Sequence, residues 1–267
     1  MGKNSQYVAH QPDANGRVEW SDDENRIWNT LIERQLPALQ GKACNDYMVG
    51  LDRLDLPRDR VPQLEEVDAV LMEYTGWKTA AVPALIDFSE FFRLLANKQF
   101  PVATFIRSWE ELDYLQEPDI FHEIFGHTPM LTHRAFAEFT QLYGQLGLDA
   151  SKEDRVFLAR LYWFTVEFGL LQKGDQRSIY GGGILSSPGE TEYAFNSDVP
   201  ERQPFDLMTV LRTPYRIDIM QPIYYCLESV DQLYDIAQMD IMGAVREAKK
   251  LGLFEPRFTP KKKAVNQ

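Results

Sequence analysis

Cysteine is scarce. Only Cys44 and Cys226 occur among 267 residues, which excludes a disulfide framework and a paired-cysteine metal site and fits a reducing compartment. Any bound metal must therefore be held by histidine and carboxylate. Long apolar runs are missing as well, and Met1 to Asn15 is polar with no hydrophobic stretch, so neither a membrane span nor a secretory signal is expected. A soluble, cytoplasmic chain follows. Basic charge is also in deficit, 28 Lys and Arg against 40 Asp and Glu, and a net charge of −12 argues against a nucleic-acid partner. The basic run Lys261 to Lys263 sits in a proline-containing tail and reads as a solvated end. Internal repeats, low-complexity blocks and Gly/Ser linkers are absent, so one domain is expected over 18–256, with loose flanks at 1–17 and 257–267.

What is present is mostly helical patterning. Ser21 followed by Glu24 is a capping box opening a helix that places Ile27, Trp28, Leu31 and Ile32 on one face. Further helices are predicted near 42–53, 63–74, 87–97, 132–147, 151–173 and 229–250. Strands are predicted at Val102 to Arg107, Ile179 to Leu185, Glu192 to Phe195 and Arg216 to Tyr224. The class is mainly α with a small β component.

Two of the four histidines, His122 and His127, lie five residues apart. Five steps of an ideal α-helix rotate a side chain by about 500°, which leaves it roughly 140° from its start, so the two rings cannot share one regular face. Pro118, Gly126 and Pro129 suggest a way round: the helix starts at Pro118 and ends near Gly126, and His127 falls just beyond it. A surface histidine beside a capping one is the plainer alternative. The segment Leu158 to Leu171 is apolar nearly all round and so reads as buried, yet it contains Glu167. A buried carboxylate needs a cation, and Arg160, seven residues earlier on nearly the same face, competes with a metal for that role. Two histidines and one carboxylate with open positions suit Fe(II) and dioxygen chemistry.

Three ordered blocks narrow the reading. These are Pro118-Asp119-Ile120-Phe121-His122-Glu123-Ile124-Phe125-Gly126-His127, then Tyr162-Trp163-Phe164-Thr165-Val166-Glu167-Phe168-Gly169-Leu170, then Tyr180-Gly181-Gly182-Gly183-Ile184-Leu185-Ser186-Ser187-Pro188-Gly189-Glu190. Together they resemble the pterin-dependent aromatic amino acid hydroxylases, from about Val18 through Tyr225. The length suits only the single catalytic domain of that family, without its regulatory domain or tetramerising coiled coil, so a monomer or dimer is expected.

The resemblance implies Fe(II) on His122, His127 and Glu167. It implies Ser186 as a hydroxyl supporting the first histidine, Arg107 as the grip on the substrate carboxylate, and Trp163 and Phe168 as pocket walls. For a tetrahydropterin, tetrahydrobiopterin or a relative of it, the resemblance points to Val82, Leu85, Ile86, the ring of Phe91 and the carboxyl of Glu123. Pro83 and Ala84 depart from the Ala-Gly of animal members in that loop. The implied reaction is hydroxylation of an aromatic amino acid by O2. Ile217, at a position where tyrosine-specific members carry a carboxylate, favours L-phenylalanine, converted to L-tyrosine, over tyrosine or tryptophan. Two other classes compete: a zinc hydrolase with Glu123 as base, and an amino-acid sensor that has lost catalysis.

Overall fold

The computed structural model describes residues 7–259. Residues 1–6 and 260–267, the outer parts of the two flanks, lie outside the described residues, Lys261 to Lys263 among them. Helices α1 (Asp22–Leu39), α2 (Asn45–Leu54) and α3 (Leu64–Tyr74) lead into strand β1 (Lys78–Val82), helix α4 (Phe88–Ala96) and strand β2 (Gln99–Ala103). The turn His122–His127 follows, then α5 (Thr128–Leu131), α6 (Arg134–Asp149), α7 (Lys152–Tyr162) and a second turn, Trp163–Glu167. Strands β3 (Leu170–Lys173) and β4 (Gln176–Ile179) form a hairpin. Helices α8 (Gly182–Leu185) and α9 (Pro188–Asn196), strand β5 (Glu201–Pro204), helix α10 (Leu207–Arg212), strand β6 (Ile223–Leu227) and helices α11 (Gln232–Ala237) and α12 (Ile241–Leu251) complete the chain.

The β component is small and divided. Strands β1 and β2 pair in parallel from Lys78 opposite Gln99 to Val82 opposite Ala103. A second sheet has the order β4-β3-β6-β5, antiparallel only between β3 and β4. Helices enclose one main apolar core in which Trp28, Tyr47, Phe92, Phe125, Phe136 and Tyr180 are fully buried. Among the described residues no helix is long and apolar enough to cross a membrane.

Helix α1 starts as its sequence requires. Glu24 N–H donates to Ser21 Oγ at 3.3 Å while Ser21 N–H donates back to Glu24 Oε2 at 2.8 Å. Its inward face is that of Ile27, Trp28, Leu31 and Ile32. Buried Gln35 on the same face donates to Leu185 O at 2.6 Å, tying α1 to α8. The N-terminal flank lies against the body from Tyr7 onward. Tyr7 stacks on Phe105 at 4.5 Å, and His10 and Thr104 exchange two hydrogen bonds of 2.7 Å.

Several expected boundaries are corrected. The helix expected over 151–173 stops at Glu167, and Leu170–Lys173 is strand β3. The helix expected over 229–250 is two, α11 and α12, separated near Asp240, whose side chain caps the second by accepting from Gly243 N–H. Glu192 to Phe195, expected as strand, lies in α9. Pro188 occupies its first turn and Ser187 caps it, and those two signals outweigh the local alternation. The strand expected from Ile179 to Leu185 ends at Ile179, where the chain turns into α8. Val102 to Arg107 is β2 only as far as Ala103, and Arg216 to Tyr224 is loop until Ile223. Strands β1, β3 and β5 are too short to produce a clear period-two signal.

Helices α4 and α6 touch through Gly144. A Cβ there would fall 2.3 Å from the backbone nitrogen of Ala96. Alanine gains about 1 kcal/mol of helix propensity over glycine, but backbone atoms cannot move aside as a side-chain tip can, and overpacking costs typically about 1–3 kcal/mol or more. Gly144→Ala is therefore expected to lower the denaturant midpoint of unfolding. An unchanged or raised midpoint would show that the two helices separate freely.

Candidate metal and substrate site

The His122–His127 segment is a π turn. Its hydrogen bonds span five residues instead of four, which widens the turn enough to bring side chains five apart onto one side. The Nε2 atoms of His122 and His127 stand 3.1 Å apart, with the ring planes at 80°. This corrects the expected geometry, in which the helix ended near Gly126. The path continues into α5, and Pro129 sits in the first turn of that helix. Pro129 has no N–H to offer the carbonyl of Phe125, and the buried Tyr47 hydroxyl donates to that oxygen instead at 2.8 Å.

A second π turn, Trp163–Glu167, closes with Phe168 N–H donating to Trp163 O at 2.8 Å. It ends on Glu167, whose carboxylate lies 3.3 Å from His127 Nε2 and 3.6 Å from His122 Nε2. Arg160 is not its partner. That guanidinium donates to Val156 O at 2.7 Å, lies over the Phe157 ring and forms no ion pair among the described residues.

The hydrogen bonds fix a tautomer. Ser186 Oγ donates to Gly182 O at 2.8 Å, so at its 2.9 Å contact with His122 Nδ1 it accepts, and His122 Nε2 keeps its lone pair. Burial pulls the His122 pKa down to about 4 against the opposing charge of Glu167, so the ring is neutral near pH 7. Burial pushes the Glu167 carboxyl up, but the two imidazoles more than offset it and the net displacement is downward. Glu123 moves well upward, through burial and then through the charges of Glu167 and Asp119. The backbone of Gly182 lies directly on the His127 ring, since a Cβ there would fall 2.4 Å from His127 Cε1. His127 Nδ1 is buried without a hydrogen-bond partner among the described residues.

Donor atoms about 2.1 Å from one ion stand about 3.0 Å apart at right angles and about 3.4 Å apart at tetrahedral angles. The separations of 3.1 Å between the imidazole nitrogens and of 3.3 and 3.6 Å from them to the two carboxylate oxygens of Glu167 lie close to those values, so the three residues fit a divalent cation. Glu123 also offers an oxygen, within 4.8 Å of the imidazole donors, a looser approach than that of Glu167.

A cavity of about 450 Å3 opens beside this cluster, lined by His122, Glu167, Ser186, Arg107, Trp163, Phe168 and Ile217. All five residues expected on the substrate side are thus brought together. Trp163 is sandwiched between Phe168 at 4.4 Å and Tyr215 at 4.5 Å, and Ile217 stands at the rim, 67% exposed. Arg107 is buried four residues beyond β2. Its Nε and Nη2 grip Asp119 at 2.8 and 2.9 Å, and Nη1 makes no hydrogen bond among the described residues. The residues expected on the pterin side are elsewhere. Val82, Leu85 and Ile86 lie on the path from β1 to α4 and line no part of this cavity. Phe91 meets Tyr162 edge-on at 5.4 Å, and the charges of Glu167 and Glu123 both reach the Tyr162 hydroxyl.

Sequence reasoning missed Asp119, Tyr215, Glu190 and Gln221. Asp119 carried a usable signal: an aspartate three residues before His122 is a helix cap, and its Oδ1 accepts from His122 N–H at 3.0 Å. The other three reach the site only through folding.

Residues 5–248 match the family described as biopterin-dependent aromatic amino acid hydroxylase. The chain is 59% identical to a phenylalanine-4-hydroxylase of Pseudomonas aeruginosa, over 98% of this chain and all of that one. The cold-active phenylalanine hydroxylase of Colwellia psychrerythraea superimposes with a TM-score of 0.92 at 60% identity, covering 94% of this chain and 97% of that one. The phenylalanine hydroxylase of Chromobacterium violaceum, solved with bound oxidised Fe(III), has a TM-score of 0.86 at 41% identity and covers 92% and 89%. The chain belongs to the biopterin-dependent aromatic amino acid hydroxylases. As a hydroxylase of that family it is an enzyme that depends on a reduced pterin, and the zinc-hydrolase and sensor readings are set aside.

The Arg107–Asp119 pair supports this site electrostatically. Burial raises the Asp119 pKa, but Arg107 outweighs burial and the net displacement is downward. A depressed folded-state pKa adds stability above the unfolded value of about 3.9, and that stability is lost as pH falls through the folded value. Asp119→Asn leaves Arg107 as an unpaired buried charge, so a loss of about 3–5 kcal/mol is expected near pH 7. The difference from wild type should shrink toward acid, and a difference independent of pH would contradict the pairing.

Proposed function

We propose that the chain converts L-phenylalanine to L-tyrosine with O2 and a tetrahydropterin, using Fe(II) held by His122, His127 and Glu167. One observation carries this reading: a His pair and a carboxylate converge at one end of a cavity that also holds an arginine and an aromatic wall. The electron count closes. Reduction of O2 takes four electrons, two from the ring C–H bond and two from the pterin, and one oxygen enters tyrosine while the other leaves with the pterin. Bound iron and pterin supply the activation of O2.

The protein's own groups bind and aim. Arg107, held by Asp119, presents its remaining guanidinium nitrogen to the amino acid carboxylate, while Trp163 and Phe168 hold the ring. Ser186 holds His122 in the tautomer whose Nε2 lone pair can bind metal. Phe91 stacks the pterin, Glu123 hydrogen-bonds it, and Val82, Leu85 and Ile86 border it. Apolar Ile217 supports phenylalanine over tyrosine because it offers a phenolic hydroxyl no partner. The net charge of −12 supports small-molecule ligands over nucleic acid, and the unpaired Cys44 and Cys226 support a cytoplasmic setting. A monomer or dimer suffices, since every assigned residue comes from one chain.

Glu167→Gln is expected to lower bound iron and tyrosine formation together, by at least about 100-fold, the upper range seen for residues that only support a ligand. Retention of both would remove Glu167 from the metal. Arg107→Lys keeps a charge opposite Asp119 but loses the planar fork. It should raise the phenylalanine KM and the amount of pterin oxidised per tyrosine formed, measured side by side. Normal affinity and normal coupling would place the carboxylate grip elsewhere.

A further inference from the structure

Gln221 is 1% exposed, and its carboxamide is fully engaged between two parts of the cavity wall. Its Nε2 donates to Arg216 O at 3.0 Å and to Ile219 O at 2.9 Å, which clips the loop between α10 and β6 into shape. Its Oε1 accepts from the indole N–H of Trp163 at 3.1 Å. That loop carries Tyr215, stacked on Trp163, and Ile217 and Met220, which stand 67% and 47% exposed at the rim. The Gln221 backbone N–H reaches buried Glu190 Oε1 at 3.4 Å, and the same oxygen accepts from the Tyr224 hydroxyl on β6. Trp163 opens the π turn that ends on Glu167. One side chain therefore joins the rim loop, the aromatic wall and the segment bearing the carboxylate.

We propose that Gln221 is a positioning residue for the hydroxylation, holding Trp163 and the Ile217 rim in register so that the substrate ring is aimed at the metal-facing end of the cavity. The inference rests on the reading of that cavity as the phenylalanine site. Without the carboxamide, two loop carbonyls and one indole N–H lose their partner, and the loop is free to move relative to Trp163. Neither the His pair nor Glu123 hydrogen-bonds to Gln221. The effect should therefore fall on substrate affinity and coupling and spare metal and pterin.

The test compares the iron-loaded wild-type enzyme with Gln221→Leu and Gln221→Glu. Phenylalanine KM, pterin KM, iron content and tyrosine formed per pterin oxidised are measured for each. Gln221→Leu is expected to raise the phenylalanine KM about tenfold and to lower coupling, with iron content and pterin KM within about twofold of wild type. Gln221→Glu keeps an oxygen for the indole N–H of Trp163 and loses the two N–H donors to the loop carbonyls, so it should shift the same two quantities less, and it serves as the test if Gln221→Leu does not fold. Unchanged phenylalanine KM and coupling would overturn the proposal, as would a loss of iron and a rise in pterin KM that keep step with them. A wild-type enzyme that fails to hydroxylate phenylalanine would instead overturn the reading of the function.

Discussion

Two π turns set the geometry on which the site depends. Histidines five apart point away from one another on an α-helix, and a carboxylate on a buried helix is strongly penalised without compensation. Widening the turn at His122–His127 brings two imidazole nitrogens to 3.1 Å, and widening it again at Trp163–Glu167 ends that helix on the carboxylate which completes the cluster. Each distortion needs neighbours to satisfy it. The Tyr47 hydroxyl serves the carbonyl that Pro129 cannot, and Phe168 N–H closes the second turn onto Trp163 O.

Electrostatics then divides the acids into different roles. Asp119 is spent on Arg107 and on the N–H of His122, and its pKa lies low because a guanidinium faces it. Glu167 faces two imidazoles and is also displaced downward, while Glu123, facing acids, is displaced upward. Burial alone would raise all three. The cation or imidazole opposite each group decides the sign, so neighbouring carboxyls of similar intrinsic acidity carry out different tasks.

Close backbone approach is the remaining constraint. The chain at Gly182 presses on the His127 ring and at Gly144 on α4, distances that a single methyl group would forbid. The first holds the imidazole of His127, and the second holds α4, which carries Phe91, against α6. Packing at these two glycines therefore reaches both the His127 ring and the helix that carries Phe91.

Much of this was legible in the amino-acid sequence. The capping box at Ser21, the apolar face of α1 and the mainly helical class follow from local patterns, and the three ordered blocks around His122, Glu167 and Ser186 indicated the family to which the chain belongs. Tertiary structure alone decided the rest. Short strands such as β3 and β5 exist because neighbouring strands supply their hydrogen bonds, and no period within four residues announces that. A π turn breaks the periodicity by which helices are recognised, so the convergence of His122 and His127 was attributed to a helix end. Competition for Glu167 between Arg160 and the histidines was undecidable from spacing, because both arrangements satisfy a buried charge and only the packed fold shows which partners are within reach. Chain order carries the identity of reactive groups, and three-dimensional packing decides which of them face one another.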